Sequence, residues 1–354
     1  MPMQPANDFL IGSKTIGELH MPFIIAEMSG NHNQSLERAL SIVDAAALSG
    51  VHALKIQTYT ADTLTLNLET SDFYIEDKTS LWQGNSLYKL YELAYTPWEW
   101  HAPIFERCKK HGILCFSTPF DESAVDFLEK LDVPAFKIAS FENIHLPLIR
   151  KVAETGKPVI ISTGMATVGE IEDAVNTARS AGCKDLVLLK CTSSYPATPE
   201  NSNIRTLSHL KKLFNCHVGL SDHTMGIGAS VAAVAMGARV IEKHFTLNRA
   251  DGGVDSTFSL EPEEMKSLVI ETERAFQALG EVRYGPLENE KKSLIFRRSI
   301  YITDDIRQGE IFTAKNLRII RPGYGLAPKY YDQFIGKQAK HDIKKGTPLS
   351  WDLI

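Results

Sequence analysis

The chain has 354 residues, enough for one large domain and a small one. Its apolar fraction of 44% and charged fraction of 23% are those of an ordinary globular protein. A net charge of −5 with a pI near 6.1 leaves no basic footprint, which excludes nucleic acid as an expected partner, and no apolar run approaches the roughly 18 residues that span a bilayer.

Residues Met1–Asp8 lack the charged and apolar regions of a signal peptide. Five cysteines form no C-x-x-C spacing, and their odd number argues against a disulfide framework. A cytoplasmic protein with reduced, buried thiols is expected.

From about residue 22 to 280, short β-rich runs alternate with helical patterns. Strands are expected at 23–29, 53–58, 113–118, 135–140, 158–163, 186–192, 217–222 and 239–245. Helices are expected between them, among others at 36–48, 123–131, 171–181 and 229–236. Thr167-Val-Gly-Glu170 has the capping-box pattern that opens one of these. Eight such units in about 260 residues fit a closed (β/α)8 barrel, placed at 1–281. A doubly wound sheet would want a glycine-rich fingerprint after its first strand, where Glu27-Met-Ser-Gly-Asn-His32 stands instead.

Residues 282–294 are charged, carry Gly and Pro, and read as a linker. The remainder, 295–354, holds a weak repeat. Asp305-Ile-Arg-Gln-Gly309 recurs as Asp342-Ile-Lys-Lys-Gly346, and Phe312-Thr313 with Asn316-Leu317 recurs as Leu349-Ser350 with Asp352-Leu353. This pattern predicts a small pseudo-symmetric β domain. At about 60 residues its own core is marginal, so it is expected to dock on another surface.

A (β/α)8 barrel carries its active site at the C-terminal ends of its strands, and polar residues crowd there. His223 and His244 each end an apolar run, and neighbouring strand ends would bring the two imidazoles together as ligands for a metal ion. Asp222 and Glu242 stand beside them in sequence. Glu242 and His244 share one strand face, as do Ser221 and His223. Either histidine alone reads as an ordinary hydrogen-bonded residue; the pair favours a metal site.

Lys55 and Lys137 each stand inside an apolar strand, where an ammonium is unfavourable without an anion beside it. They are either structural ion pairs or two cations converging on a bound anion. In the second reading Ser140, Ser162, Thr163 and Gly164 add donors for phosphate or carboxylate. A Schiff-base lysine, Lys137, is the rival role. Glu27 is a candidate general base or a partner for a substrate hydroxyl. Tyr195-Pro196, Asp255 and Asn31-His32 are polar loop residues near the expected mouth.

In this order the motifs resemble the sialic acid synthase family over nearly the whole chain. The resemblance rests on Ala26-Glu27 with Asn31-His32, Lys55-Ile-Gln-Thr58, Ser117-Thr-Pro-Phe120 and Lys137-Ile-Ala-Ser140. It continues through Ser162-Thr-Gly-Met165, Cys191-Thr192 with Tyr195-Pro196, Gly219-Leu-Ser-Asp-His223 and Glu242-Lys-His-Phe245. The terminal region with Arg321-Pro322 resembles that family's antifreeze-like SAF domain. Lys55-Ile-Gln-Thr-Tyr-Thr60, Asp62-Thr-Leu-Thr-Leu66 and the segment from Arg321 to Tyr330 resemble the pseudaminate-forming branch. That branch condenses phosphoenolpyruvate with 2,4-diacetamido-2,4,6-trideoxy-L-altrose. Ser193 stands where the neuraminate-forming branch usually places Asn, which turns the expectation away from N-acetylmannosamine.

The resemblance implies His223 and His244 as ligands of a divalent ion, Mn2+ first, with Mg2+ or Co2+ as alternatives. It assigns phosphoenolpyruvate to Lys55, Thr118, Lys137, Ser140, Ser162 and Ser221. The sugar falls to Glu27, Gln57, Tyr195, Glu242 and Asp255, with lysines expected on one side of the site and carboxylates on the other. Proton transfer falls to Glu27, with Glu242 second. The resemblance also implies a homodimer in which the terminal domain crosses over and Arg321 holds an acyl group in the partner's barrel. An N-acetylneuraminate or legionaminate synthase is the nearest alternative. A Schiff-base aldolase and a non-catalytic carbohydrate- or ice-binding protein are further ones.

Overall fold

The computed structural model describes residues 6–78 and 81–354, which form two compact units, one ending at Gly280 and one spanning Glu281–Ile354. The first unit opens with an antiparallel hairpin, β1 (Phe9–Ile11) and β2 (Lys14–Ile16). Eight parallel strands follow: β3 (Phe23–Glu27), β4 (Ala53–Thr58), β5 (Leu114–Pro119), β6 (Phe136–Ile138), β7 (Val159–Ser162), β8 (Leu186–Cys191), β9 (His217–Asp222) and β10 (Val240–His244). They pair in chain order, and β10 pairs back onto β3 to close the barrel. Each strand falls inside, or within one residue of, the segment expected for it. Several are shorter than expected because the last residues of those runs leave the ladder and turn toward the mouth.

The outer helices are α1 (Leu36–Leu48), α2 (Ala61–Leu64), α3 (Leu87–Ala94), α4 (His101–His111), α5 (Glu122–Lys130), α6 (Leu146–Glu154), α7 (Val168–Ser180), α8 (Thr206–Phe214), α9 (Gly228–Ala235) and α10 (Pro262–Leu279). Their starts are written in the sequence. Ser35 accepts from the Arg38 amide, Asp121 from those of Ser123 and Ala124, and Thr167 with Glu170 closes the expected capping box. Three helices, α2, α3 and α4, occupy the connection between β4 and β5, where the repeating pattern allots one.

The hairpin β1–β2 was not expected from the sequence. Phe9, Ile11 and Ile16 are buried in the barrel's core cluster, and the Phe9 ring lies 5.7 Å from that of His217 at the start of β9. Gly12 sits at φ +55°, and a Cβ there would meet Leu114, the first residue of β5, at 2.7 Å. The hairpin therefore covers the end of the barrel opposite the strands' C-termini. All five cysteines are buried and free. No helix among the described residues is long and apolar enough to cross a membrane.

The second unit carries β11 (Ser299–Ile302) and β12 (Leu317–Ile320), paired antiparallel, around a core that includes Ile300, Phe312, Phe334, Ile343 and Leu349. Residues 282–294 fall in this unit, with 3-10 turns over Glu288–Phe296. The sequence repeat is a spatial one. Ile306 and Ile343 exchange backbone hydrogen bonds of 2.9 and 2.7 Å. Asp305 Oδ1 accepts from the Lys345 amide and Asp342 Oδ1 from the Gln308 amide, each at 2.8 Å.

Candidate active site

Strand register assembles the site. In the ladder Glu27 lies between Lys55 on β4 and His244 on β10, Glu242 lies beside Ser221, and Gln57 beside Thr118. The two-residue period turns Lys55 and Gln57, Ser221, and Glu242 and His244 to the interior, and His223 follows at the mouth. The same period turns Asp222 and Lys243 outward, where they form an ion pair of 2.9 Å and Asp222 also accepts from Ser230 of α9. Asp222 is thus no neighbour of the imidazoles, contrary to its place in the sequence.

A cavity of ≈ 310 Å³ opens at the C-terminal mouth. Glu27, Lys55, Gln57, Lys137, Ser140, Ser162, Tyr195, Ser221, His223, Glu242, His244 and Asp255 all line it. Thr118 reaches it through Lys55, whose Nζ donates to Thr118 Oγ1 at 3.3 Å. Arg321 belongs to the second unit, where it lies exposed directly after β12.

Charges are interleaved rather than divided into a basic and an acidic side, which corrects that expectation. Lys55 Nζ lies 2.9 Å from Glu27 Oε2 and 3.2 Å from Glu242 Oε2, while Lys137 Nζ lies 3.7 Å from Glu242 Oε1. The register causes this: Glu27 on β3 lies next to Lys55 on β4, and the Lys55 ammonium reaches past β3 to Glu242 on β10. Burial alone would depress the Lys55 ammonium, but Glu242 and Glu27 outweigh it and hold the pKa up. Burial pushes Lys137 down, and the nearby Lys55 charge adds to that. Burial would raise Glu27, yet Lys55, His244 and Lys137 hold it well below the usual carboxylate range.

Hydroxyls complete the floor. Ser221 Oγ donates to Glu242 Oε1 at 3.0 Å, and Ser193 Oγ donates to Ser140 Oγ at 2.8 Å. Ser162 Oγ is buried and has no hydrogen-bond partner among the described residues. An unpartnered buried hydroxyl is unfavourable unless a ligand satisfies it.

The rings of His223 and His244 lie 5.3 Å apart, centre to centre. His223 Nδ1 stands 2.9 Å from the Thr192 carbonyl oxygen and donates to it, which makes Nε2 the acceptor nitrogen of the neutral ring, and the Cys191 side chain is a second hydrogen-bond partner of this residue. His244 Nδ1 is buried with no hydrogen-bond partner among the described residues, 3.8 Å from Asp255 Oδ2, and Nε2 lies 3.6 Å from Glu27 Oε2. Two imidazoles with carboxylates near by suit a borderline divalent ion. Among the described residues no three His, Cys, Asp or Glu side chains are gathered as a ligand set.

Some cavity residues were not singled out from the sequence. Ser29 donates to Asp255 Oδ2 and accepts from Gln57 Nε2. Glu142, two residues past Ser140, is pushed up to about 7 by burial, offset in part by the Lys137 charge, and is suited to carry a proton near neutrality. Its proximity to Lys137-Ile-Ala-Ser140 was the available signal. Conversely, Asn31 and His32 are wholly buried ties rather than mouth residues. Asn31 donates to the Phe245 carbonyl and Ser259, and His32 Nε2 lies 3.3 Å from Thr96 Oγ1.

A closed (β/α)8 barrel whose mouth holds buried cations, carboxylates and paired imidazoles defines a barrel enzyme. The chain belongs to the NeuB family, which its residues 42–284 match, while residues 297–354 match the SAF domain. It is 47% identical over 327 residues to the pseudaminic acid synthase of Campylobacter jejuni, covering 92% of this chain and 95% of that protein. To the pseudaminic acid synthase of Helicobacter pylori it is 42% identical, covering 94% and 98%. Among solved structures it is similar to the N-acetylneuraminic acid (sialic acid) synthetase of Leptospira borgpetersenii serovar Hardjo-bovis in complex with citrate. That likeness has a TM-score of 0.73 and 33% identity, over 82% of this chain and 96% of that one.

Proposed function

We propose that this chain condenses phosphoenolpyruvate with 2,4-diacetamido-2,4,6-trideoxy-L-altrose to give pseudaminate and phosphate. The observation that carries the reading is the convergence of Lys55, Lys137 and the unpartnered Ser162 hydroxyl on one cavity, joined by Ser140 and Ser221. Such a set suits a small ligand with two anionic groups. Similarity to pseudaminic acid synthases supports the choice of sugar.

In this reading the cations and hydroxyls orient phosphoenolpyruvate so that its carbon 3 faces the aldehyde of the open-chain sugar. A carbon–carbon bond forms, the aldehyde oxygen takes up a proton, and carbon 2 becomes electron-poor. Water adds at carbon 2 and gives up a proton, and phosphate leaves with its bridging oxygen. In this reading Glu27 is the first candidate to accept a proton, and Glu242 is the second. Gln57, Tyr195 and Asp255 line the same cavity and in this reading contact the sugar. A divalent ion held by His223 and His244, Mn2+ first with Mg2+ or Co2+ as alternatives, would act as a Lewis acid on the aldehyde oxygen. The proposal includes a cytoplasmic homodimer, in keeping with five free thiols, in which Arg321 of one copy serves the other's cavity.

Phosphate release measured with phosphoenolpyruvate and each acetamido hexose in turn tests the reading. The altrose isomer is expected to give the highest kcat/KM. Faster release with N-acetylmannosamine or with the legionaminate precursor would overturn it. One observation favours a second reading: Lys137 is buried and its ammonium pushed down, as a Schiff-base lysine requires. Borohydride reduction in the presence of pyruvate would trap an adduct on Lys137 if that reading were right, and none is expected.

A further inference from the structure

The cavity has two chemically distinct halves. Its floor is the charged cluster around Lys55, Glu27 and Glu242; its opposite wall comes from the β4–β5 connection. Leu87, Leu90, Tyr91 and Ala94 of α3 all line it, at the i, i+3, i+4, i+7 spacing of one helix stripe. Such a stripe ordinarily seals against a core. Here it borders open space, and Leu64 of α2 and Ile75 extend it.

We propose that this wall selects the sugar by its last carbon, accepting a methyl group at C6 and discriminating against a hydroxyl there. The inference rests on the reaction proposed above. The aldehyde must lie at the charged floor for its carbon to be attacked, so C6, the far end of the open chain, extends toward the α3 stripe. Apart from the Tyr91 phenol the side chains of this wall offer no donor or acceptor, so a hydroxyl placed against Leu64, Ile75, Leu87 or Leu90 would give up water without a replacement. A methyl group there buries apolar surface on both sides. A hydrophobic pocket rejects an added hydroxyl only modestly, so the discrimination is about ten- to a hundred-fold and not absolute.

The test compares kcat/KM for 2,4-diacetamido-2,4,6-trideoxy-L-altrose and its 6-hydroxy counterpart, by phosphate release with phosphoenolpyruvate. The wild-type protein is expected to prefer the 6-deoxy sugar by about ten- to a hundred-fold. Leu87→Asn should narrow that preference several-fold, chiefly through KM for the 6-deoxy sugar, while KM for phosphoenolpyruvate stays put. Leu64→Asn, on a separate helix, should do the same and guards against one variant failing to fold. Equal use of both sugars by the wild type, or an unchanged preference in both variants with normal KM for phosphoenolpyruvate, overturns the wall's role alone. Turnover of N-acetylmannosamine with neither diacetamido sugar consumed overturns the proposed reaction and the inference together.

Discussion

The Lys243 ammonium and the Asp222 carboxylate meet at 2.9 Å on the outer side of β9 and β10, one residue away from His244 and His223 respectively. Lys243 also donates to the Thr224 carbonyl, and Asp222 accepts from the Thr224 amide. The pair cross-links the two strand ends that present the imidazoles. Removing the cation leaves a buried carboxylate unpaired, so Lys243→Met is expected to lose about 3–5 kcal/mol of stability in urea unfolding. The double variant Asp222→Asn, Lys243→Met should recover part of that. A single variant as stable as the wild type would show that the pair holds nothing.

Lys137 offers a cleaner test of anion binding than Lys55. Lys55 stands between two carboxylates, so its removal strands both and unsettles the fold as well as the ligand. Lys137 makes one longer ion contact, 3.7 Å to Glu242. Lys137→Ala is expected to weaken phosphoenolpyruvate binding by about 2–5 kcal/mol, read by calorimetric titration. Unchanged affinity would remove Lys137 from the anion site.

Glu142 makes stability depend on pH in an identifiable direction. Its carboxyl is raised from 4.5 to about 7, first by burial, with the Lys137 charge opposing. Between those values the folded protein keeps a proton that the unfolded chain has released, so this group lowers stability as pH rises through the window. Glu142→Gln removes the effect. Above pH 7 the variant is expected to exceed the wild type by about 1–3 kcal/mol, and the two should converge below pH 4.5. Denaturant unfolding across that range measures the difference. A gap that fails to grow with pH contradicts the assignment.

The metal reading predicts that exhaustive chelation abolishes phosphate release and that adding Mn2+ restores it. His223→Ala or His244→Ala should prevent restoration and lower ion affinity about 10- to 100-fold or more, measured by direct ion binding. Full turnover after chelation would dispose of the ion.

How much of this could be read from the residues follows from what each signal depends on. Period-2 alternation and strand-end position placed Lys55, Lys137, His223 and His244 around one mouth, because a closed barrel leaves little freedom in where strand ends go. The interleaving of Lys55 between Glu27 and Glu242 needed the register of three strands, which one-dimensional spacing does not contain. Asp222 stands beside His223 in sequence and still faces away from it, because adjacent residues of a strand lie on opposite faces. The hairpin β1–β2 is too short to show periodicity, and it is held by Phe9, Ile11 and Ile16 packing on the barrel. The α3 stripe was periodic but lay inside a connection with no role in the barrel repeat, so nothing flagged that it would face a cavity.

In the second unit, Asp305 is anchored by the amide of Lys345, and Asp342 by that of Gln308. Each half therefore completes the other's turn, and neither can drift alone: loss of one aspartate loosens a loop belonging to its counterpart. Mechanical reciprocity of this kind explains how two faint copies can stay recognisably alike, and it makes the fragment indivisible, since severing the halves would leave both with unfinished corners.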